Sequence, residues 1–183
     1  MSFAQPQIMG VLNITPDSFS DGGELFQADT VVLDAVRAQA LAMIESGAQV
    51  LDIGGESSRP GAQAVNSTEE QRRVLPVLEA LSDLDVILSV DTYHPETVHA
   101  AIDYGAGMIN DITGGRDPAV VAAVARSNVA YALMHMQGSP QTMQQAPSYK
   151  DVVVEVSAYL RDRFAACVAA GIEANRLLVD PGF

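Results

Sequence analysis

The sequence predicts an α/β protein built as a (β/α)₈ TIM barrel, of which the chain carries about six strands and five helices. Three observations favour this fold class. Short β-branched, apolar runs alternate with longer segments of helical periodicity. The runs are almost continuously apolar, which is typical of parallel strands covered on both faces. Polar residues recur where the runs end, and barrel enzymes assemble their active sites at that rim.

Six segments have the composition of buried strands: residues 8–14, 50–54, 86–91, 108–112, 130–136 and 176–180. Five helical segments lie between them. The first (about 30–46) and the fifth (about 150–170) are each followed by a glycine, which favours a helix end. The second begins with a capping box in which Ser67 and Glu70 can satisfy each other's amides. The third and fourth begin at Pro95 and Pro118, since proline suits the first helical position.

Alternating strands and helices also suit a doubly wound open sheet, and two features favour the barrel over it. No G-x-G-x-x-G motif follows the first strand, which disfavours a dinucleotide-binding sheet. A doubly wound sheet also concentrates its polar residues near one switch point. Here they are spread over successive strand ends, at Asn13, Asp52, Asp91, Asn110, His135 and Asp180.

Composition limits the classes of partner. The chain has 183 residues, 48% of them hydrophobic, which suits one domain over residues 1–183. Its net charge of −13 argues against a nucleic-acid or anionic-membrane partner. The single cysteine, Cys167, excludes an intrachain disulfide. The N-terminal residues lack the charged and long apolar regions of a signal peptide, and no apolar run reaches membrane length. A soluble cytoplasmic protein is expected. Because the sequence stops after the sixth strand, we expect a barrel truncated at its C-terminus.

Carboxylates and an amide at the strand ends predict a binding site for a heterocycle. Asp91, Asn110 and Asp180 should point into one barrel mouth. A carboxylate accepts two parallel N–H bonds, and asparagine both donates and accepts, so such groups suit a ring with adjacent N–H donors and a carbonyl. Each residue alone could instead cap a helix or form an Asx turn. Three of them on one rim favour a binding site.

The loop that follows the second strand resembles a phosphate grip. The segment "GGESSRPGA" (54–62) contains Arg59 between Ser58 and Pro60, after two glycines and two serines. Backbone amides and a guanidinium together suit an anion. By itself this loop is a weak signal.

Longer strings show a family resemblance. The segments "MGVLNITPDSFSDGG", "LDIGGESSRPGA", "SVDT", "INDITGG", "LMHMQGSPQTMQ" and "LLVDPGF" follow one another in the order and approximate spacing of the dihydropteroate synthases. The chain resembles this family from Ile8 to its last residue. The resemblance implies a (β/α)₈ barrel that joins 6-hydroxymethyl-7,8-dihydropterin diphosphate to 4-aminobenzoate. The products are 7,8-dihydropteroate and diphosphate, on the folate-biosynthesis pathway that sulfonamides target.

The resemblance also implies roles for residues of the barrel mouth. Asp91, Asn110 and Asp180 match the residues that hold the pterin, with Met136 packed nearby. Asn13 matches the residue associated with Mg²⁺ and diphosphate.

Two loops complete the implied site. Arg59, with Ser58, matches the residues near the diphosphate. Phe19, Ser58 and Pro60 match the pocket for aminobenzoate. Ser58 stands where many members have threonine, which leaves sulfonamide sensitivity open. Asp21, together with Arg59, is the candidate catalytic residue and would stabilise a cation or orient the amine.

The implied mechanism is dissociative: Mg²⁺ and Arg59 stabilise the departing diphosphate, and the neutral amine attacks a pterin-borne cation. The segment "NITPDSFSDGG" would form a lid. The family's usual homodimer contact and several binding residues lie beyond residue 183, so we expect the isolated chain to be inactive and to associate.

Two other functions remain open: a methyltetrahydrofolate:corrinoid methyltransferase-like barrel, and a pterin-binding module without turnover. Of the histidines, His94 and His99 are interpreted as solvated or capping residues. His135 lacks a second histidine or cysteine at metal-ligand spacing, so a zinc site is not expected.

Overall fold

The computed structural model describes residues 5–15, 26–27, 30–57 and 64–182 of the chain. Within these residues the strands form one six-stranded parallel sheet and a separate two-stranded antiparallel pair. The strands are β1 (Ile8–Asn13), β2 (Phe26–Gln27), β3 (Thr30–Val31), β4 (Ala48–Gly54), β5 (Ile87–Asp91), β6 (Met108–Asp111), β7 (Ala130–Met134) and β8 (Leu177–Asp180). The large sheet has the order β1-β4-β5-β6-β7-β8.

Helices connect the strands of the large sheet: α1 (Leu33–Glu45), α2 (Ser67–Leu81), α3 (Pro95–Asp103), α4 (Pro118–Ala125) and α5 (Val152–Ala169). Successive helices α1 to α4 pack against one another in chain order. The strand order also follows the chain without the reversal that defines a doubly wound sheet. The predicted fold class is therefore confirmed: the structure is an open arc of six barrel strands with helices on its outer face.

The two faces of the sheet carry two separate cores. Side chains such as Leu51, Val90 and Leu133 are buried on the outer face, in the main cluster beneath the helices. A smaller cluster on the inner face consists of Met108, Ala130 and Ala132, with Ile87 and Leu178 packed against it. Because side chains alternate between faces along a strand, the strand-end residues Asp91, Asn110 and Asp180 belong to the inner face. The barrel lumen therefore contains the candidate site.

Two local predictions were wrong. Helix α1 begins at Leu33 and not near residue 30, because Thr30–Val31 pairs with Phe26–Gln27 as an antiparallel strand. Helix α2 is capped by Asn66, whose Oδ1 accepts from the Glu69 amide at 2.9 Å. Ser67 is already helical. The predicted capping box does not form.

Glu70, the other predicted member of that box, turns into the core instead. It is fully buried, and its Oε2 accepts from the Thr92 hydroxyl at 2.7 Å. The predicted ends of the first and fifth helices are confirmed. Gly47 and Gly171 follow α1 and α5 with φ of +102° and +100°. No helix in the described ranges is long and apolar enough to cross a membrane.

Candidate functional site

A row of residues on the inner face forms the base of the site. The parallel register aligns Asn13 with Gly54, Gly54 with Asp91, and Asp91 with Asn110. Gly54 leaves the middle of the row open. A Cβ built there would lie 3.7 Å from Asn13 Oδ1 and 3.9 Å from Asp91 Oδ2. The structure therefore brings together three of the residues singled out from the sequence, Asn13, Asp91 and Asn110.

Asp52 orients Asn110 from the layer below. Its carboxylate is buried, and it accepts from Ser89 Oγ at 2.6 Å and from Asn110 Nδ2 at 2.9 Å. Burial raises the pKa of Asp52, while the bonds from Ser89 and Asn110 oppose that rise. Because its amide nitrogen is engaged, Asn110 presents its amide oxygen as an acceptor. Sequence reasoning placed Asp52 on the rim but missed this orienting role.

Asp91 contributes the one carboxyl of this row. Across the described ranges, no hydrogen bond to its carboxyl oxygens is found. Its pKa is raised well above the usual aspartate range, first by burial and then by the negative charges of nearby acids: Asp52, Glu70, Asp111 and Glu56. A ligand that donates N–H bonds would supply the partners that the protein does not. Asp91 is therefore suited to receive a polar ligand edge.

Asp180 and Met136 lie farther along the same rim. Asp180 ends β8 beside Met134 of β7, two strands from Asn110 and one layer nearer the carboxyl end. Its Oδ1 accepts from the Gly182 amide at 2.8 Å, the turn alternative considered for it. Met136 is buried and lines a cavity of about 760 Å³ together with Pro181 and Gly182.

Asp91 lines a much smaller cavity of about 10 Å³, with Glu56, Glu70 and Tyr93. Ile112 borders both cavities. The structure thus groups Asp91 with Asn13 and Asn110, and places Met136 at the larger neighbouring space.

A second group of polar side chains surrounds the start and end of the loop after β4. Tyr93 donates from its hydroxyl to Glu56, with both carboxylate oxygens at 3.1 Å. Burial and the Glu56 carboxylate raise the pKa of Tyr93, so its hydroxyl stays protonated. Arg73 donates to the Gly55 carbonyl at 2.8 Å. His94 Nε2 lies 3.0 Å from the Val65 carbonyl oxygen.

The sequence interpretation of His94 was wrong. His94 is the N-cap residue of α3, but its side chain makes no capping bond. The ring instead reaches back across the chain to Val65, and its exposed side-chain fraction is only 22%. His99, one turn into α3, is exposed, as expected.

Glu56, Glu70 and His94 each place one potential ligand atom within 4.8 Å of the others, which is a possible metal cluster among the described residues. The His94 Nε2 atom faces a carbonyl oxygen, which can only accept, so this nitrogen carries a proton and offers no lone pair. All three side chains take part in hydrogen bonds within the described ranges: His94 with Val65, Glu56 with Tyr93, and Glu70 with Thr92. Asn13 Oδ1 is a hard oxygen on the open row and suits Mg²⁺.

Asp111 follows Asn110 and organises the turn after β6. It is fully buried and accepts four hydrogen bonds, from the Thr113 amide and hydroxyl, the Gly115 amide and the Tyr131 hydroxyl. Gly114 and Gly115 both have positive φ, of +69° and +70°. Sequence reasoning gave Asp111 no role. The motif "NDITGG", two glycines after a buried acid, was the available signal.

His135 lies directly after β7 and is buried. Burial, and then the charge of Arg116, lower its pKa, so the imidazole is neutral at pH 7. Its ring meets the Tyr159 ring edge-on at 5.0 Å between centroids. The remaining predicted site residues lie outside the described ranges: Phe19, Asp21, Ser58, Arg59 and Pro60.

Comparison with known proteins shows the family of the chain. Residues 9–183 match the family described as pterin binding enzymes. The chain is 46% identical over 184 aligned positions to the dihydropteroate synthase of Escherichia coli K12, and the match covers all of this chain and 64% of that protein. The chain thus spans about 64% of the length of that curated relative.

Three solved structures are similar over nearly the whole chain. Dihydropteroate synthase of Yersinia pestis, in a sulfonamide drug complex, has a TM-score of 0.91 at 44% identity, covering 100% of this chain and 65% of its own. The Burkholderia cenocepacia enzyme with 7,8-dihydropteroate gives 0.84 at 44%, covering 100% and 60%. The Xanthomonas albilineans enzyme with 4-aminobenzoic acid gives 0.85 at 50%, covering 98% and 62%.

Proposed function

The chain belongs to the family of pterin binding enzymes, and we propose that it forms the pterin-binding part of a dihydropteroate synthase. The proposed reaction joins 6-hydroxymethyl-7,8-dihydropterin diphosphate to 4-aminobenzoate and gives 7,8-dihydropteroate and diphosphate. The similar structures bound to 7,8-dihydropteroate and to 4-aminobenzoic acid support these substrates for this chain. Sulfonamide binding is proposed on the same basis.

The row of acceptors at Asp91 and Asn110 carries this proposal. Asp91 offers a carboxyl without a hydrogen-bond partner in the described ranges, and Asn110 offers an amide oxygen because Asp52 engages its nitrogen. A pterin presents adjacent ring and amino N–H groups on one edge. Two acceptors side by side in one register layer suit that edge.

The ring would lie on the inner face, above the small side chains of that layer, with Met136 near its other side. Asp180 would join these residues once its carboxylate leaves the Gly182 amide.

The diphosphate end would extend toward β1. Asn13 lies across Gly54 from Asp91, so its amide oxygen faces the same opening. Mg²⁺ commonly bridges one protein oxygen and substrate phosphates. Asn13 would hold the ion with the diphosphate, and the bound ion would supply Lewis-acid stabilisation of the leaving group. Arg59 and Ser58, which the sequence assigns to the same end, would add a guanidinium and a hydroxyl.

The proposed chemistry is a dissociative substitution. The bond between the pterin methylene carbon and the diphosphate oxygen breaks, and the electron pair leaves with the diphosphate. Asp91 and Asn110 hold the ring, and Asp21 would stabilise its positive charge or orient the incoming amine. The amine of 4-aminobenzoate, held by Phe19, Ser58 and Pro60, forms the new C–N bond and then loses a proton. No side chain of the protein acts as a nucleophile.

We also propose a cytoplasmic, homodimeric protein at full length, on the basis of family resemblance and the single cysteine. The protein at its natural full length, incubated with both substrates and Mg²⁺, is the material for the test. Release of diphosphate together with dihydropteroate is expected. Pterin binding without either product would show a binding module instead.

The matched variants are Asp91→Asn and Asp103→Asn. Asp103 is exposed at the end of α3, away from the row. We expect Asp91→Asn to lower kcat/KM by about tenfold or more, because an amide cannot accept two parallel N–H bonds. Asp103→Asn should match the parent. Equal activity of both variants would contradict the assignment of Asp91.

A further inference from the structure

The two described ends of the loop after β4 both lie close to His94. We define the first stem as Gly55 and Glu56, and the second stem as Val65 and Asn66. The side chain of His94 contacts both stems: its Nε2 lies 3.0 Å from the Val65 carbonyl oxygen and 3.6 Å from Glu56 Oε2. Eight residues of sequence separate Glu56 from Val65. His94 therefore bridges the two ends of this loop.

The chemistry of the contact fixes the role of the ring nitrogen. A carbonyl oxygen only accepts, so His94 Nε2 carries a hydrogen and donates it to Val65. Glu56 Oε2 is too far for a hydrogen bond but close enough for electrostatic attraction to that N–H. Tyr93 completes the bridge, since its hydroxyl donates to Glu56 and its ring lies 4.5 Å from the His94 ring.

Although His94 lies at the N-cap position of α3, its ring does not cap the helix. His94 is the N-cap of α3, where a short side chain normally accepts a first-turn amide. The His94 side chain makes no such bond, and Pro95 begins the helix without an amide hydrogen. The backbone amide of His94 donates instead to the Thr92 hydroxyl at 3.1 Å. The imidazole is thus directed to the loop.

The same short segment also contains the acceptor row. From Asp91, Thr92 donates to Glu70 of α2, Tyr93 donates to the first stem, and His94 donates to the second stem. The three residues that follow Asp91 thereby connect the row, helix α2 and both stems of the loop.

We propose that His94 is a positioning residue that holds together the two stems of the loop after β4, next to the row at Asp91. The consequence for catalysis rests on the proposed function, which assigns 4-aminobenzoate to that loop. Loss of His94 should then weaken aminobenzoate binding while pterin binding at Asp91 and Asn110 is retained.

The test uses the full-length protein with three variants. His94→Leu removes the donor, His94→Gln keeps an N–H near the Nε2 position, and His99→Leu is the matched control on the exposed side of α3. Amide hydrogen exchange of residues 55–66 is measured first, because it needs no activity. We expect exchange there to rise about tenfold in His94→Leu, as the loss of one hydrogen bond implies, and to stay near the parent in His94→Gln and His99→Leu.

The second readout separates binding steps. We expect the KM for 4-aminobenzoate to rise about tenfold in His94→Leu, with pterin affinity changed by less than about twofold, and His94→Gln to restore most of the loss. Unchanged exchange in His94→Leu would overturn the proposal. An equal loss of pterin affinity would also overturn it, because it would show general destabilisation.

Two further outcomes separate this proposal from the proposed function. If the parent itself makes no dihydropteroate, the proposed function fails, and the exchange data alone decide the stem contact. If His94→Leu does not fold, Tyr93→Phe replaces it. That variant keeps the ring and removes only the bond to Glu56, so exchange should rise at the first stem; unchanged exchange there would count against the bridge.

Discussion

Asn110 Nδ2 donates to Asp52 Oδ2 at 2.9 Å, and this single bond determines which atom of Asn110 remains available to a ligand. Asp52 is buried and lies in the register layer of Ser89, one layer below Asn110. Without that bond the Asn110 amide could turn and present either its oxygen or its nitrogen. The buried carboxylate therefore sets the polarity of the site.

We predict that Asp52→Ala lowers pterin affinity by about tenfold, because Asn110 loses its orientation. Stability should fall by about 1–3 kcal/mol, since Ser89 and Asn110 are left without their buried acceptor. Calorimetric pterin titration and urea denaturation measure the two effects. Ser89→Ala is the matched control, since it removes the other bond to Asp52 and leaves the Asn110 bond intact. Equal loss of affinity in both variants would contradict the orienting role.

Because the pKa of Asp91 is raised, we predict that the free energy of unfolding falls as the pH rises. A folded-state pKa above the unfolded value, about 3.9, means that the folded protein holds a proton that unfolding releases. Stability is therefore highest below that unfolded value and is lost as pH rises through the folded pKa. Asp91→Asn removes this effect and should melt at a higher temperature than the parent at pH 8. The expected rise in Tm is about 2–4 °C for each kcal/mol gained in the free energy of unfolding.

Thermal melts of both proteins between pH 4 and pH 8, with Asp103→Asn as a control, measure this difference. The gap should close near pH 4 for Asp91→Asn and stay absent for Asp103→Asn. A lower melting temperature of Asp91→Asn at pH 8 would show that the carboxylate is compensated in the folded protein.

The same carboxyl predicts the pH dependence of ligand binding. A ligand that donates two N–H bonds requires the Asp91 carboxylate, which accepts both. Because the pKa of Asp91 is raised in the free protein, pterin affinity should weaken with falling pH while an ordinary aspartate is still ionised. Titration of pterin between pH 5 and pH 8 tests this. Affinity that is constant over this range would argue against Asp91 as the acceptor.

Asp111 is predicted to be the structural acid of the rim. Asp111→Ala removes an acceptor of four hydrogen bonds and leaves the buried Tyr131 hydroxyl without a partner. We expect a loss of about 3 kcal/mol or more in the free energy of unfolding. Asp117→Ala is the control: Asp117 caps α4 from an exposed position by one bond at 2.7 Å, and its loss should cost about 1 kcal/mol. Similar losses in denaturant melts would refute the distinction.

Gly114 and Gly105 form a matched pair for backbone strain. Both have positive φ, of +69° and +88°. A Cβ at Gly114 would lie 2.6 Å from the Met134 carbonyl oxygen, whereas at Gly105 it would meet nothing within 4 Å. Gly105→Ala should cost only the strain of the left-handed conformation, about 1–2 kcal/mol. Gly114→Ala should cost clearly more in the same urea melts, and an equal cost would show that the turn after β6 relaxes freely.

The sequence was sufficient for the parts of the structure that depend on periodicity. Continuous apolar runs predicted all six strands of the large sheet, and the strand-end rule brought Asp91 and Asn110 into one row because parallel register aligns neighbouring ends. The orienting role of Asp52 was not predicted, because Asp52 lies inside β4, two residues before the end of that strand. Alternation of faces along "LDIG" would have placed it below the row.

The failures were contacts between residues distant in the chain. Capping signals around Ser67 and His94 are local, but Glu70 is drawn inward by Thr92 and His94 by Val65, 22 and 29 residues away in sequence. No local pattern reveals such partners. The binding roles of all the site residues stay predictions: Asp91, Asn110, Asn13, Met136, Asp180 and the loop residues outside the described ranges. The single domain over residues 1–183 also stays a prediction.

The two cores lie on opposite faces of the sheet, so the residues that stabilise the fold differ from those that limit the size of a ligand. The row through Asp91 and Asn110 continues onto β7 as Ala132, and Ala130 lies in the layer beneath. Methyl groups there leave the lumen wide, while the packing that holds the helices lies on the opposite face. Larger residues in place of Ala130 and Ala132 would reduce the volume of the lumen, so that only thinner or shorter ligands could bind there. Evolution could therefore change what fits inside without rebuilding the scaffold around it.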